Sequence, residues 1–246
     1  MANAAATAQA PVKVKAKKKS EFARVMRQMS KNKLAMIGLA IFIVEVVLVV
    51  LAPYIIPYDY TKMDMTACFA TPSMKHLFGC DDLGRDIFSR VLYGGRFSVT
   101  MGLFATLLAA FLGMAIGAVA GYFGGWVDNL IMRVLDIVQA VPSMLLMIVI
   151  AAVLGPGYVN TIIAMAFGSI PGYARMLRAQ MLKERTNEYI EAATSINCST
   201  FRIIFSHLLP NCLSPIIVQA TMGVGQTITL CAGLSFIGLG IQPPTP

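Results

Sequence analysis

Residues 98–122 contain no charged side chain. About 20 apolar residues suffice to cross a bilayer as a helix, and in hydrocarbon a helix satisfies its own backbone hydrogen bonds. Comparable runs occupy residues 34–56, 130–154, 158–177 and 213–239. A closed barrel would instead show short segments of alternating polarity. With 57% of residues apolar and 13% charged, the chain is unlike a soluble domain. It reads as an all-α polytopic membrane protein with five spans.

Punctuation along the chain refines this. Pro53 and Pro57 end the first run, and Tyr54, Tyr58 and Tyr60 suit an interfacial aromatic belt. In the second, Gly113, Gly117 and Gly121 recur every four residues, so one face is bare enough for another helix to approach closely. Residues 122–128 form a turn, with Asp128 placed to cap the next helix. Pro142 predicts a kink in the third run, and Gly155-Pro156-Gly157 a tight turn after it.

The net charge of +8 is concentrated near the N-terminus, where Lys13, Lys15, Lys17, Lys18, Lys19, Arg24, Arg27, Lys31 and Lys33 face only Glu21. A long apolar run follows at once, so the tail reads as a cytoplasmic flank held by anionic lipid rather than a nucleic-acid arm. Residues 1–20 are expected to be disordered and residues 21–33 to form an amphipathic lead-in helix. A second basic cluster, Arg175, Arg178, Lys183, Arg185 and Arg202, marks the same side. The division expected is therefore a basic cytoplasmic tail (1–33), a first span (34–56), an extracytoplasmic segment (57–97) and a core with four more spans (98–246). Five spans put the C-terminal end outside.

The polar residues offer few chemistries. Glu45 lies mid-span, where a carboxylate is costly; it reads as a bundle-facing contact or as an ion or proton site. Asp136 and Gln139 lie one turn apart and can line a cavity, although an Arg133–Asp136 pair at i,i+3 is preferred. Asp81, Asp82, Arg85 and Asp86 form either an external gate, a docking site or a self-paired charged loop. Cys68 and Cys80 share one external segment and are either bonded or free. His76 and His207 are too few for a metal site. The spacing of an ATP-binding loop is absent, so no cofactor is expected on this chain and no catalytic residue is assigned.

Residues 184–211, between the fourth and fifth runs, are the most distinctive. Thr186 or Asn187 can cap a short helix, with Glu188 and Glu191 early in it, where the dipole favours anions. Ala192 and Ala193 combine helix propensity with little bulk, which suits insertion into a groove. Asn197 tolerates the left-handed turn that stops a helix. A second helix over 199–208 is expected to pack Phe201, Ile204, Phe205 and Leu208 on the bundle, with Pro210 bending the chain into the last span.

Glu191-Ala-Ala193, Asn197 and Leu209-Pro210 resemble the EAA loop of ABC-transporter permeases. Asn197 stands where that family has Gly, and His207 where its general pattern has Ile. Phe205, His207, Leu209, Pro210 and Asn211 look like the peptide-type variant. His76-Leu-Phe-Gly79, Asp81-Asp-Leu-Gly-Arg-Asp86, residues 121–128, Pro171-Gly-Tyr-Ala-Arg175 and residues 234–246 are similar to motifs of the dipeptide, oligopeptide and nickel permeases, C-type subunit. The resemblance implies the transmembrane domain of a type I importer. Its partners would be a B-type permease, two ATPases that bind ATP and Mg, and an extracytoplasmic substrate-binding protein. It assigns ATPase coupling to Glu188, Glu191, Ala192, Ala193, Asn197, Leu209 and Pro210. Members usually have a sixth span after the Pro-Pro-Thr-Pro stretch, which this sequence lacks. The competing readings are a stand-alone secondary transporter or channel using Glu45, and a structural membrane protein with a docking loop.

Overall fold

The computed structural model describes residues 29–242 and 245. The predicted basic tail, from Lys13 to Arg27, and most of the lead-in helix lie outside the described residues. The chain divides into two compact units, residues 1–48 and 49–246. Helix α1 (Lys33–Ile55) runs through the division. It starts at Asn32, whose side-chain oxygen accepts the N–H groups of Leu34 (3.1 Å) and Ala35 (3.3 Å), satisfying donors the helix leaves orphaned. Glu45 is exposed on it.

Residues 57–86 form a tight connection with one 3₁₀ turn, Met65–Ala67. Asp86 is its pivot. One carboxylate oxygen lies 3.0 Å from His76 Nδ1, and the other accepts the Ser89 N–H (2.8 Å) and hydroxyl (2.7 Å). That cap starts α2 (Ile87–Phe123) well before residue 98. Residues 87–97, expected in the external segment, are thus the opening turns of a 37-residue helix. At ~1.5 Å per residue this helix is about 55 Å long, longer than the hydrocarbon core. Cys68 and Cys80 are free thiols, with Cys80 buried within the connection; burial pushes its pKa up.

The third predicted span is two helices. Val141 precedes Pro142 and is extended (φ −85°, ψ 129°), because the proline ring disfavours helical backbone before it. Helices α3 (Gly125–Ala140) and α4 (Ser143–Leu154) therefore meet at 84°. Gly124 turns the chain with φ 64° and α3 begins directly behind it. Asp128, expected as the cap, is one turn inside instead.

Helix α5 (Tyr158–Glu184) extends beyond the predicted residue 177. It is followed by the short α6 (Glu188–Ser195) and by α7 (Thr200–Phe236). By length and composition, α1, α2 and α7 can each cross a bilayer, and the bent α3–α4 pair can form a fourth span. Helix α5, counted as a fifth, falls short of that apolarity. It packs against α2, α4 and α7, and its buried face carries Thr161, Pro171 and Tyr173 among alanines.

The glycine stripe of α2 faces α5, as its spacing predicts. A Cβ on Gly113 would stand 2.5 Å from Tyr173 Cβ, on Gly117 2.4 Å from the Ala174 carbonyl oxygen, and on Gly121 2.8 Å from Met181 Cβ. Around this seam lies a core cluster that includes Ala109 and Ala118 of α2, Tyr173 and Leu177 of α5, Ile190 and Ala193 of α6, and Ile203 and Leu208 of α7. A second cluster gathers Met101, Ala105, Met147, Met165 and Leu234 nearer the start of α2.

Candidate functional site

The loop between α5 and α7 is built by local chemistry at both ends of α6. Asn187 holds the cap position, but through its backbone. Its carbonyl accepts the Ile190 N–H at 3.0 Å, and its side chain donates to Glu184 Oε2 at 2.7 Å. Tyr189 also donates to Glu184 (2.9 Å), and Asn211 Nδ2 donates to the Tyr189 oxygen (3.0 Å) and to the His207 carbonyl (2.8 Å). The string Glu184–Tyr189–Asn211 thus ties the end of α5, α6 and α7 together. Burial and then the Glu184 carboxylate raise the Tyr189 pKa.

At its far end α6 closes as expected. Asn197 has φ 56°, its N–H donates to the Thr194 carbonyl (2.9 Å), and the Cys198 N–H reaches back to the Ala193 carbonyl (3.1 Å). This is the double hydrogen bond of a left-handed helix stop. Two faces result. Ile190 and Ala193 are buried in the core cluster. Glu188, Glu191 and Ala192 point outward, and Ile196 is 80% exposed. Of the two small residues read as groove-fitting, Ala192 is presented and Ala193 packs inward.

The second helix of the loop is continuous with the last span. Residues Ile203–Leu208 are wound wider, as a π-helical segment, and the Leu209 N–H bonds the Ile204 carbonyl five residues back. Pro210 has no N–H and its ring collides with a regular helical carbonyl four residues earlier. The wider turn relieves both conflicts, so the chain is not bent out of the helix at Pro210. It also shifts the apolar phase. Ile203, Ile204 and Leu208 are buried, whereas Phe201 (70% exposed) and Phe205 (51%) face outward with ring centroids 4.3 Å apart. Leu209 packs on the core cluster and Pro210 is exposed.

Two interhelical contacts at this end escape local sequence spacing. Arg178 of α5 grips both carboxylate oxygens of buried Asp128 on α3, with Nε–Oδ1 at 2.9 Å. The Arg185 guanidinium lies 6.0 Å from the Tyr122 ring, whose hydroxyl contacts Thr200 at 3.3 Å. Asp136 pairs with Arg175 of α5 at 2.6 Å rather than with Arg133 of its own helix, because that side of α3 is turned toward α5. Gln139 lines a cavity of about 230 Å³ at the α3–α4 break, with Val138, Val141, Ser143, Leu146, Gly168 and Pro171.

The charges before α2 are largely spent internally. Asp81 pairs with Arg85 (2.7 Å) and Arg90 (3.8 Å), and its Oδ1 accepts the N–H groups of Leu83 and Arg85. Burial opposes ionisation of Asp81 and Asp86. Hydrogen bonds from Arg85 and Leu83 to the first, and from Ser89 and His76 to the second, outweigh it and hold both pKa values below the ordinary range. Asp82 is the outward-facing member, with its side chain 67% exposed.

Comparison with known proteins agrees with this architecture. The family described as binding-protein-dependent transport system inner membrane component matches residues 113–246. The N-terminal TM domain of oligopeptide transport permease C matches residues 20–72. A dipeptide transport system permease protein of Alkalihalophilus pseudofirmus is 43% identical over 92% of this chain and 75% of its own length. Its counterpart in Haemophilus influenzae is 41% identical over 87% and 75%. A glutathione transport system permease protein of Escherichia coli is 42% identical over 89% and 73%. A helical membrane chain with these matches belongs to the family of binding-protein-dependent transport system inner membrane components, the membrane-spanning permeases of ABC importers.

Proposed function

We propose that this chain is the C-type permease subunit of an ATP-driven importer of small peptides, and that α6 is the element on which the partner ATPase acts. The observation that carries this reading is the two-faced α6. Ile190 and Ala193 anchor it in the bundle core, while Glu188, Glu191, Ala192 and Ile196 are exposed, as are Phe201 and Phe205 a few residues on. Exposed apolar side chains and carboxylates on one connecting segment of a membrane bundle are what a docked soluble subunit would cover.

In this reading the α6 end and the N-terminus are cytoplasmic, and residues 57–86 lie outside, with Asp82 open to a binding protein. A B-type permease completes the pathway, and ATP and Mg stay on two ATPase subunits. Nucleotide-driven movement of the ATPases displaces α6. The Glu184–Tyr189–Asn211 string passes that displacement to α5 and α7 together, biasing a two-state bundle. The peptide assignment rests on relatives named for dipeptides, di- and tripeptides, and glutathione, all small peptides.

The test uses Glu191→Lys and Ala192→Trp, which alter the outward face and leave the inner one intact. Peptide uptake by cells is expected to fall at least tenfold, and ATPase chains to be lost on co-purification. Unchanged uptake and unchanged co-purification in both variants would overturn the assignment.

A further inference from the structure

Arg85 and Arg90 each face Asp81, but Arg96, farther along α2, has no carboxylate within salt-bridge distance among the described residues. Its guanidinium lies over the Tyr93 ring, 5.4 Å from the centroid. It lines a cavity of about 330 Å³ with Tyr93, Phe97, Thr100 and Tyr158. Two of the three hydroxyl protons there are already committed. Tyr158 donates to Thr100 Oγ1 (2.8 Å), and Thr100 donates to the Arg96 carbonyl (2.6 Å). The donors left for a ligand are the Tyr93 hydroxyl and the guanidinium, a planar fork suited to two oxygens of one anion.

The position of this cavity along α2 narrows the anion. Arg96 is the last charged residue before an uncharged run that continues past Phe123. Leu103, Phe104 and Leu107 follow seven, eight and eleven residues later, which places them on the Arg96 face of a 3.6-residue helix. They are 43%, 53% and 52% exposed. Arg96 to Leu107 spans about 16 Å at ~1.5 Å per residue, which matches one leaflet of a ~30 Å hydrocarbon core. A cationic, aromatic-walled cavity thus sits directly above an apolar stripe one leaflet deep. A ligand filling both parts has an anionic head and a hydrocarbon tail.

We propose that the Arg96 cavity binds the phosphodiester headgroup of a phospholipid whose acyl chains lie along Leu103, Phe104 and Leu107. Peptide carboxylates offer the same charge but leave the stripe uncovered, and inorganic phosphate does likewise.

The experiment is native mass spectrometry of the complete transporter, delipidated in detergent and titrated with phosphatidylglycerol. Arg96→Gln is expected to weaken binding of the tightest-held lipid about fivefold, the ratio corresponding to ~1 kcal/mol per cation at a lipid surface. Arg96→Lys is expected to keep most of that affinity, and Leu107→Ser to weaken it. Arg133→Gln, an exposed arginine on α3, serves as the control and should bind as wild type. Titrations with inorganic phosphate and with a dipeptide are the other arms, and neither should displace the lipid. If Arg96→Gln fails to assemble, the Arg96→Lys and Leu107→Ser comparison decides. Equal lipid affinity across the Arg96 and Leu107 variants, or displacement of the lipid by phosphate or dipeptide, would overturn the assignment.

Discussion

Alanine at Gly117 adds one methyl group at the tightest point between α2 and α5. That carbon would stand 2.4 Å from the Ala174 carbonyl oxygen and 3.2 Å from the Ala174 carbonyl carbon. It is about 1 Å short of ordinary contact, and the obstacle is backbone, which cannot rotate aside. Overpacking of this kind costs about 1–3 kcal/mol, against at most ~1 kcal/mol gained in helix propensity over glycine. The decisive comparison is Gly168→Ala. There the new carbon would also meet an atom at 2.4 Å, the terminal methyl of Met147, with Met147 Cγ at 2.9 Å, so the obstacle is one buried side chain that must repack rather than backbone. Gly172→Ala and Gly225→Ala meet nothing within 4 Å, so only the propensity gain remains. Thermal unfolding of the purified chain in detergent, followed by circular dichroism, reads the series. At about 2–4 °C per kcal/mol for a chain of this size, Gly117→Ala should melt several degrees below wild type. Gly168→Ala should melt between Gly117→Ala and wild type, and the two open-site variants at or slightly above wild type. If Gly117→Ala melts with or above Gly172→Ala, the helices have room to part and the glycine seam is not what sets their distance.

Two further outcomes follow from the caps. Asp81 and Asp86 have depressed pKa values when folded, so their contribution is fully present above the unfolded value of 3.8 and is lost as pH falls through the lower folded values. Hydrogen exchange or limited proteolysis should therefore find residues 57–86 loosening in acid below about pH 4. Asp86→Ala should reproduce that at neutral pH, at a cost of about 1–2 kcal/mol for the lost cap. At the end of α6, Asn197→Gly should leave amide protection of Ile190 and Ala193 unchanged, whereas Asn197→Val should lower it by about 1–2 kcal/mol, the penalty of a left-handed residue with a branched side chain. Equal protection in both variants would show that the stop does not hold α6.

Much of this was legible where the signal is local. The uncharged run of α2, its four-residue glycine spacing and the left-handed stop at Asn197 are each written within a few turns of chain. Two misreadings come from a partner across space, and two from local backbone that the sequence does not announce. Arg133 sits at the right spacing from Asp136, yet Arg175 takes that carboxylate, because α5 approaches and sequence spacing cannot report it. Asp128 looks like a cap, but Gly124 starts α3 a turn earlier and leaves Asp128 to Arg178. The opening of α2 is masked by its own charges, which place residues 87–97 in the external segment until the His76–Asp86–Ser89 cap is seen. Phe201 and Phe205 are expected inside if the helix over 199–208 keeps a regular α-helical phase. The π-helical segment moved them out.

The inner face of α6 and the glycine seam belong to one packing unit. Ile190 and Ala193 share a core cluster with Leu177 and Met181, and Gly117 and Gly121 press against the backbone at Ala174 and Arg178, with Leu177 and Met181 alongside. Interiors packed like crystals do not absorb small displacements, so movement of α6 must shift α5, and through the seam α2, as a body. Yielding is then left to places where the backbone is irregular. One is the π-helical segment Ile203–Leu208, directly after the α6 loop. The other is the Val141-Pro142 break between α3 and α4. Asp128 is clamped to Arg178 at the start of α3, and α4, at 84° to α3, packs on the same α5 through Met147 at Gly168. The break is also where Gln139 and the 230 Å³ cavity lie. If α6 is where the partner ATPase acts, as proposed, a push there would reach the cavity beside Gln139 through α5, with the Val141-Pro142 break at its wall.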